Sequence, residues 1–82
     1  MKFEMFSRVA LKTDVPENVL RRGDVATIVE YHQGRDGQEP GYSLEVFNAV
    51  GETVAVITLR ESQIEPLSSN GILHVRPLAT TA

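Results

Sequence analysis

The stretch "LRRGDVATIVEYHQ", Leu20–Gln33, decides the fold of this chain. Glycine followed by aspartate, at Gly23 and Asp24, is a frequent turn pair, because glycine accepts positive φ and aspartate bonds to nearby backbone N–H groups. The run Val25–Tyr31 that follows is rich in β-branched residues, which favour strands. The stretch therefore predicts a turn that leads into a strand.

Short apolar runs separated by turn residues continue along the chain, which is typical of a small sandwich or barrel. The segment "RESQ" before the last run predicts a single 3₁₀ turn. The order of strands, loops and this turn favours an all-β, five-stranded SH3-like barrel with one short 3₁₀ turn. The predicted strands are Met5–Lys12, Val25–Tyr31, Tyr42–Asn48, Thr53–Leu59 and Ile64–Leu67.

The chain has 82 residues, which predicts a single domain. We place the barrel in residues 1–67 and a C-terminal tail in residues 68–82, after the breaker cluster "SSNG" begins. The tail contains "ILHVRP", a possible sixth strand that could also pair with a second copy of the chain.

Alternation predicts which side chains face the core. It turns Phe47 outward as a candidate anchor for a partner. Thr53–Leu59 is the most continuously apolar run and is therefore predicted to be the most buried strand. Tyr31 and Tyr42 are expected to form a cross-strand pair. The two predicted core faces comprise Val25, Thr27, Val29 and Tyr31 on one strand, and Tyr42, Leu44 and Val46 on the next.

The composition excludes several function classes. The chain has no cysteine, so disulfides, thiolate nucleophiles and cysteine metal sites are impossible. No apolar run approaches the roughly 20 residues that span a bilayer, and charged residues interrupt the N-terminal segment where a signal peptide would be apolar. We expect a soluble, cytoplasmic protein with no membrane association.

Charge is distributed unevenly along the chain. Residues 1–35 hold six basic and five acidic side chains, whereas residues 36–82 hold two basic and six acidic ones, and the net charge is −3. Nucleic-acid-binding domains usually carry a clustered positive face. This balance makes nucleic acid an unlikely partner and predicts a small acidic protein.

The segment "VPENVLRRGDVATIVEY", with "GYSLEVFNAVGETVAVITLRESQI" after it, resembles a family of small bacterial proteins known as domain of unknown function 4926. The resemblance covers roughly residues 5–67 and implies a small barrel without implying an activity. Ala26 stands where the family pattern has a glycine. The matching positions are Pro16, Glu17, Leu20, Gly23, Asp24, Val25, Thr27, Val29, Glu30, Tyr42, Glu45, Gly51, Thr53, Ala55 and Leu59.

The sequence does not support an enzyme, a cofactor or a metal site. The two histidines are His32 and His74, and a His32–Asp36 dyad in the long loop is the strongest catalytic arrangement available. Ser43, Ser62 and the Ser68–Ser69 pair could act as nucleophiles only if the fold happened to bring them near a base, and no Gly-x-Ser-x-Gly motif is present. His32, Asp36 and Glu39 supply too few closely spaced ligands for a dedicated metal site.

These observations favour a non-enzymatic protein-interaction module with an unknown protein partner. An antitoxin or immunity-type role, masking a basic site on a cognate protein, is one concrete form. The working surface would combine the long loop His32–Gly41, the loop Asp14–Val19 and the face around Phe47. The candidate partner-binding residues are Phe47, Arg35, Asp36, Glu39 and Glu17.

Two alternatives remain open. A nucleic-acid-binding module of the KOW type would bind phosphate through Arg21 and Arg22, although carboxylates nearby would cancel much of their field. A homo-oligomeric structural protein would assemble through the C-terminal segment, which would cover an exposed strand edge.

Overall fold

The computed structural model describes residues 2–67, which form an all-β fold. Five antiparallel strands make one open sheet in the order β4-β3-β2-β1-β5. The predicted all-β class with five strands is therefore confirmed, and the predicted sixth strand lies outside the described residues. The strands are β1 Arg8–Leu11, β2 Val25–His32, β3 Gly41–Phe47, β4 Thr53–Arg60 and β5 Ile64–Pro66.

The described residues contain two 3₁₀ turns rather than the one predicted. The predicted turn at Glu61–Gln63 is present, and a second one occupies Pro16–Asn18. It forms because Val15 and Leu20 exchange two backbone hydrogen bonds, of 2.9 and 3.1 Å, and so close a tight connection. Proline suits the first position of such a turn, since its fixed φ is already helical and it has no N–H to satisfy.

A bulge in β2 reverses the predicted orientation of that strand. Ile28 pairs with Leu44 and Tyr31 pairs with Tyr42, which leaves Val29 as the extra residue between them. A single inserted residue exchanges the two faces of a strand. The prediction that Val25, Thr27 and Val29 face the core is therefore wrong, because Ala26 and Ile28 are buried instead, whereas Tyr31 does pack against the core.

The predicted core face of β3 is confirmed, since Tyr42, Leu44 and Val46 are all buried. The prediction that the Thr53–Leu59 run is the most buried strand is wrong. β4 is an edge strand, so only its inward side chains, Ile57 and Leu59, are buried. Val54 and Val56 in this strand are exposed to solvent although they are apolar.

An aromatic cluster closes the inner face of the sheet. Tyr42 is fully buried, with its ring 5.4 Å from Tyr31 and 5.6 Å from Phe3 between ring centroids. The Tyr42 hydroxyl donates a 2.7 Å hydrogen bond to Glu61 and accepts one from the Phe3 N–H. The expected Tyr31–Tyr42 pair is confirmed, and it lies in the core. The buried apolar residues are Phe3, Val9, Leu11, Val15, Leu20, Ala26, Ile28, Tyr42, Leu44, Val46, Ile57, Leu59 and Ile64.

Candidate interaction surfaces

The corner at Arg21–Asp24 is a β-turn whose backbone donors are already used. Gly23 has a φ of 93°, and the Asp24 N–H donates to the Arg21 carbonyl over 3.0 Å. Asp24 accepts a 2.8 Å hydrogen bond from the Arg21 N–H, and Asp14 accepts a 2.9 Å one from the Arg22 N–H. Two carboxylates thus occupy the positions that a bound phosphate would need, while both arginines are exposed.

The loop between β1 and β2 presents Glu17 on its 3₁₀ turn. Glu17 is exposed, and the turn ends at Val19, whose φ of 59° is left-handed. A β-branched residue rarely adopts this conformation, so the backbone here is strained. Val19 is also exposed, which adds an apolar side chain beside Glu17.

The long loop between β2 and β3 is a tight, ordered turn with a charged tip. Asp36 and Gly37 both have positive φ, and the Gln38 N–H donates to the Arg35 carbonyl over 2.8 Å, which is the pattern of a type I′ turn. The loop closes so tightly that a Cβ at Gly34 would overlap the Gln38 carbonyl oxygen. Arg35 and Asp36 are exposed at the tip.

Glu39 anchors this loop to the second 3₁₀ turn. Its carboxylate accepts two hydrogen bonds of 2.8 Å from Ser62, one from the hydroxyl and one from the backbone N–H. These bonds lower the pKa of Glu39 below its ordinary value. The adjacent Pro40 carbonyl accepts the Glu61 N–H over 2.9 Å. The carboxylate of Glu39 is therefore engaged within the chain, unlike the exposed tip at Arg35 and Asp36.

A polar row that the sequence did not reveal crosses the outer face of β2, β3 and β4. The His32 Nε2 lies 2.6 Å from the Ser43 hydroxyl, which lies 3.4 Å from the Thr58 hydroxyl. His32 therefore meets Ser43 rather than Asp36 in the part of the chain that the structure describes. In the sequence, the alternation of the strands indicated only that such side chains could face outward. The bulge at Val29 shifts the register, so alternation did not predict that His32 and Ser43 would be neighbours.

The histidine–serine pair lacks the arrangement of a catalytic triad. A third group must orient the base through its other ring nitrogen. Here the Glu30 carboxylate lies 3.9 Å from the same Nε2 that faces Ser43. The side chains of His32 and Glu30 are 42% and 67% exposed. The row can supply hydrogen bonds to a ligand, and its geometry gives no support to nucleophilic catalysis.

An exposed apolar area covers the tip of the β3–β4 hairpin. We call it the Phe47 patch, and it comprises Phe47, Val50, Val54 and Val56, which are 44%, 80%, 37% and 62% exposed. The pairing of Val56 with Glu45, two residues before Phe47, makes Phe47 and Val56 diagonal neighbours on adjacent strands. Val54 lies at the irregularity in this pairing, and Val50 lies in the turn that joins the two strands.

The patch has an acidic rim that is held in place. Glu45 accepts a 2.7 Å hydrogen bond from the Thr53 hydroxyl, and Glu52 accepts a 2.9 Å one from the Asn48 side-chain amide. Local contacts therefore fix two carboxylates beside the apolar surface.

The candidate residues do not form one surface. Phe47 and the long loop lie at opposite ends of β3, six residues or about 20 Å apart. Phe47 instead shares an end of the sheet with the Arg21–Asp24 corner, because the pairing of Thr27 with Glu45 runs β3 toward the start of β2. Arg35, Asp36 and Glu39 thus belong to a different surface from Phe47.

Comparison of the sequence with known protein families identifies one family that this chain matches. No helix in residues 2–67 could cross a membrane. No match was found among curated proteins or among solved structures. One family profile, described as Domain of unknown function (DUF4926), matches residues 5–66, and this confirms the resemblance seen in the sequence. The chain belongs to the DUF4926 family.

Proposed function

We propose that this chain is a non-enzymatic protein-interaction module that docks through the Phe47 patch onto a basic, partly apolar surface of a cognate protein. The observation that carries the proposal is the exposure of Phe47 and Val56 beside fixed carboxylates at Glu45 and Glu52. Exposed aromatic anchors surrounded by polar groups are typical of binding hot spots.

We further assign the scaffold to the SH3-like barrels. The strand order supports this, since in such barrels the first strand lies between the second and the last, as β1 does here. The bulged β2, shared between β1 and β3, and the 3₁₀ turn before β5 are further supporting features. Function on such a scaffold resides in surface residues rather than in the fold.

The charge of the chain supports a basic partner. The net charge is −3, and residues 36–82, which contain the patch, hold six acidic and two basic side chains. Complementary charge speeds encounter and selects the partner. An antitoxin or immunity-type role in the cytoplasm, masking a basic site, fits this chemistry.

The contacts at Arg21 and Arg22 do not favour the alternative of nucleic-acid binding. Asp14 and Asp24 already bond to their backbone N–H groups. If retention on nucleic acid were nonetheless observed and the double variant Arg21→Glu, Arg22→Glu abolished it, the alternative would replace our proposal.

The proposal is tested by comparative capture from the native host on the immobilised full chain and two variants. Phe47→Ala removes the anchor, and Phe6→Ala is the matched control, because Phe6 is an aromatic residue that is 71% exposed and outside the patch. We expect a basic partner that the wild type and Phe6→Ala capture equally and that Phe47→Ala loses by about tenfold or more. Equal capture of that partner by Phe47→Ala would contradict the proposal.

A further inference from the structure

β4 is a long strand at one edge of the sheet, and none of the described residues pairs with its outer edge. It spans Thr53–Arg60 and lies at the end of the sheet. The opposite edge, β5, has three residues and includes Glu65 and Pro66, which discourage pairing with another strand. β4 has neither proline nor lysine, and its interior is entirely apolar or threonine. It therefore carries little protection against edge-to-edge association.

The hydrogen-bond alternation identifies which backbone groups point away from the sheet. The Glu61 N–H donates to the Pro40 carbonyl, so that pair faces β3. In an antiparallel ladder every second residue faces the same side. Val56 and Thr58 consequently direct their N–H and C=O groups outward. The outward N–H of Arg60 is already bound to the Gln63 side-chain oxygen over 2.8 Å.

We propose that β4 pairs in antiparallel fashion with β4 of a second copy of this chain, about a two-fold axis at Ile57. This axis places Val56 opposite Thr58 of the second copy. The two residues of this pair exchange two N–H···O=C bonds. The two-fold axis generates the equivalent pair of Thr58 with Val56 of the second copy, which exchanges two more. The outward N–H and C=O groups of Val56 and Thr58 are then all paired. An axis at Thr58 would instead place Val56 opposite Arg60, whose N–H is already bound to Gln63, and would leave the Val56 carbonyl without a donor.

The ends of the strand carry complementary charge for this arrangement. Glu52 precedes β4 and Arg60 ends it. An antiparallel copy brings Glu52 to the end that Arg60 of the second copy occupies, whereas a parallel copy would align like charges. Glu61 follows Arg60, but its carboxylate is bound to the hydroxyl of the buried Tyr42. The pairing of Glu52 with Arg60 therefore favours the antiparallel orientation and a second copy as the occupant.

The dimer goes beyond the proposed function. The axis is perpendicular to the sheet, so both outer faces lie on the same side of a continuous ten-stranded sheet, twice the five strands of one chain. Two Phe47 patches would then be presented together, which would favour a bivalent partner. The Phe47→Ala variant should leave the dimer intact, so the two proposals fail independently.

Cysteine pairing tests the register directly, because the natural chain has no cysteine. Val56→Cys and Thr58→Cys proteins are oxidised mildly, each alone and as an equal mixture. Directly opposed, hydrogen-bonded residues have Cα atoms about 5.5 Å apart, within the range of a disulfide. We expect the mixture to form covalent dimers several times faster than either protein alone.

The control is a cysteine placed outside β4. Val50→Cys is 80% exposed on the turn after β3 and should not pair. Equal pairing in the mixture and in the separate proteins, or none in any of them, would overturn the proposal.

The oligomeric state provides a second test. Thr58→Pro removes one outward N–H without removing a backbone bond to β3. Thr58→Val is its matched control, because it removes the same hydroxyl contact with Ser43 and keeps the N–H. We expect sedimentation to give a dimer for the wild type and Thr58→Val, and one chain for Thr58→Pro. Exchange protection of the Val56 and Thr58 amides should rise with protein concentration. Protection independent of concentration would mean that another segment of the same chain covers the edge, and would overturn the proposal.

Discussion

At the scale of single residues, Tyr42 joins the core to the second 3₁₀ turn. Its ring is fully buried and its hydroxyl donates to the Glu61 carboxylate over 2.7 Å. The pKa of Tyr42 is raised above its ordinary value, mainly by burial and to a smaller extent by this hydrogen bond. The hydroxyl therefore stays protonated and donating at neutral pH.

Removing that hydroxyl should destabilise the fold. Tyr42→Phe leaves the Glu61 carboxylate without its donor, and a hydrogen bond to a charged group contributes about 1.5–3 kcal/mol. We expect the free energy of unfolding to fall by about that amount in urea titration. Tyr31→Phe is the control, since the Tyr31 hydroxyl makes no hydrogen bond within residues 2–67. An equal loss in both variants would argue against the Glu61 contact.

Glu39 should make the anchoring of the long loop depend on pH. Its two bonds from Ser62 lower its pKa below the ordinary value of 4.5. The folded-state pKa is thus lower than the unfolded one, so the stabilisation is present above about pH 4.5 and is lost as the pH falls through the folded value. Exchange protection of the Ser62 amide should fall in that window, and Glu39→Gln should remove the pH dependence. Protection of the Ser62 amide that is the same in the wild type and in Glu39→Gln at every pH would contradict this role.

At the scale of elements, the bulge in β2 determines which side chains reach the core. Ile28 is fully buried, whereas Val29 is the extra residue of the bulge. We expect Ile28→Ala to cost about 2–5 kcal/mol in unfolding free energy, and Val29→Ala to cost under about 1 kcal/mol. Simple alternation from Val25 predicts the reverse order. A larger loss for Val29→Ala would therefore show that the register is wrong.

The local sequence pattern predicted which segments form strands and their order along the chain. It did not predict the features that depend on pairing between strands. Turn residues such as Gly23 and Gly51 marked strand boundaries well, because positive φ is a local requirement. The bulge at Val29 and the edge position of β4 arise from pairing between strands. No local pattern encodes such pairing.

The candidate sites also differ in whether they depend on local sequence or on strand pairing. Phe47 was predicted to face outward from alternation alone, and it is exposed. The contacts of Glu39 with Ser62, and of His32 with Ser43, join residues from separate elements. Their proximity depends on register, so the sequence indicated neither.

Across the molecule, the Phe47 patch is the surface through which we propose that the chain docks. The sheet separates this patch from the charged tip at Arg35 and Asp36 by about the length of β3. A change at one surface should therefore leave binding at the other unaltered. Docking through the Phe47 patch can therefore be tested by a change at Phe47 alone.

Site-specific photo-crosslinking in the native host is the most direct test. A benzophenone amino acid replaces Phe47 in one protein and Phe6, which is 71% exposed, in the matched control. We predict that position 47 crosslinks to one basic protein in good yield and that position 6 does not. Crosslinking of that protein from both positions alike, or from position 6 alone, would contradict docking through the Phe47 patch.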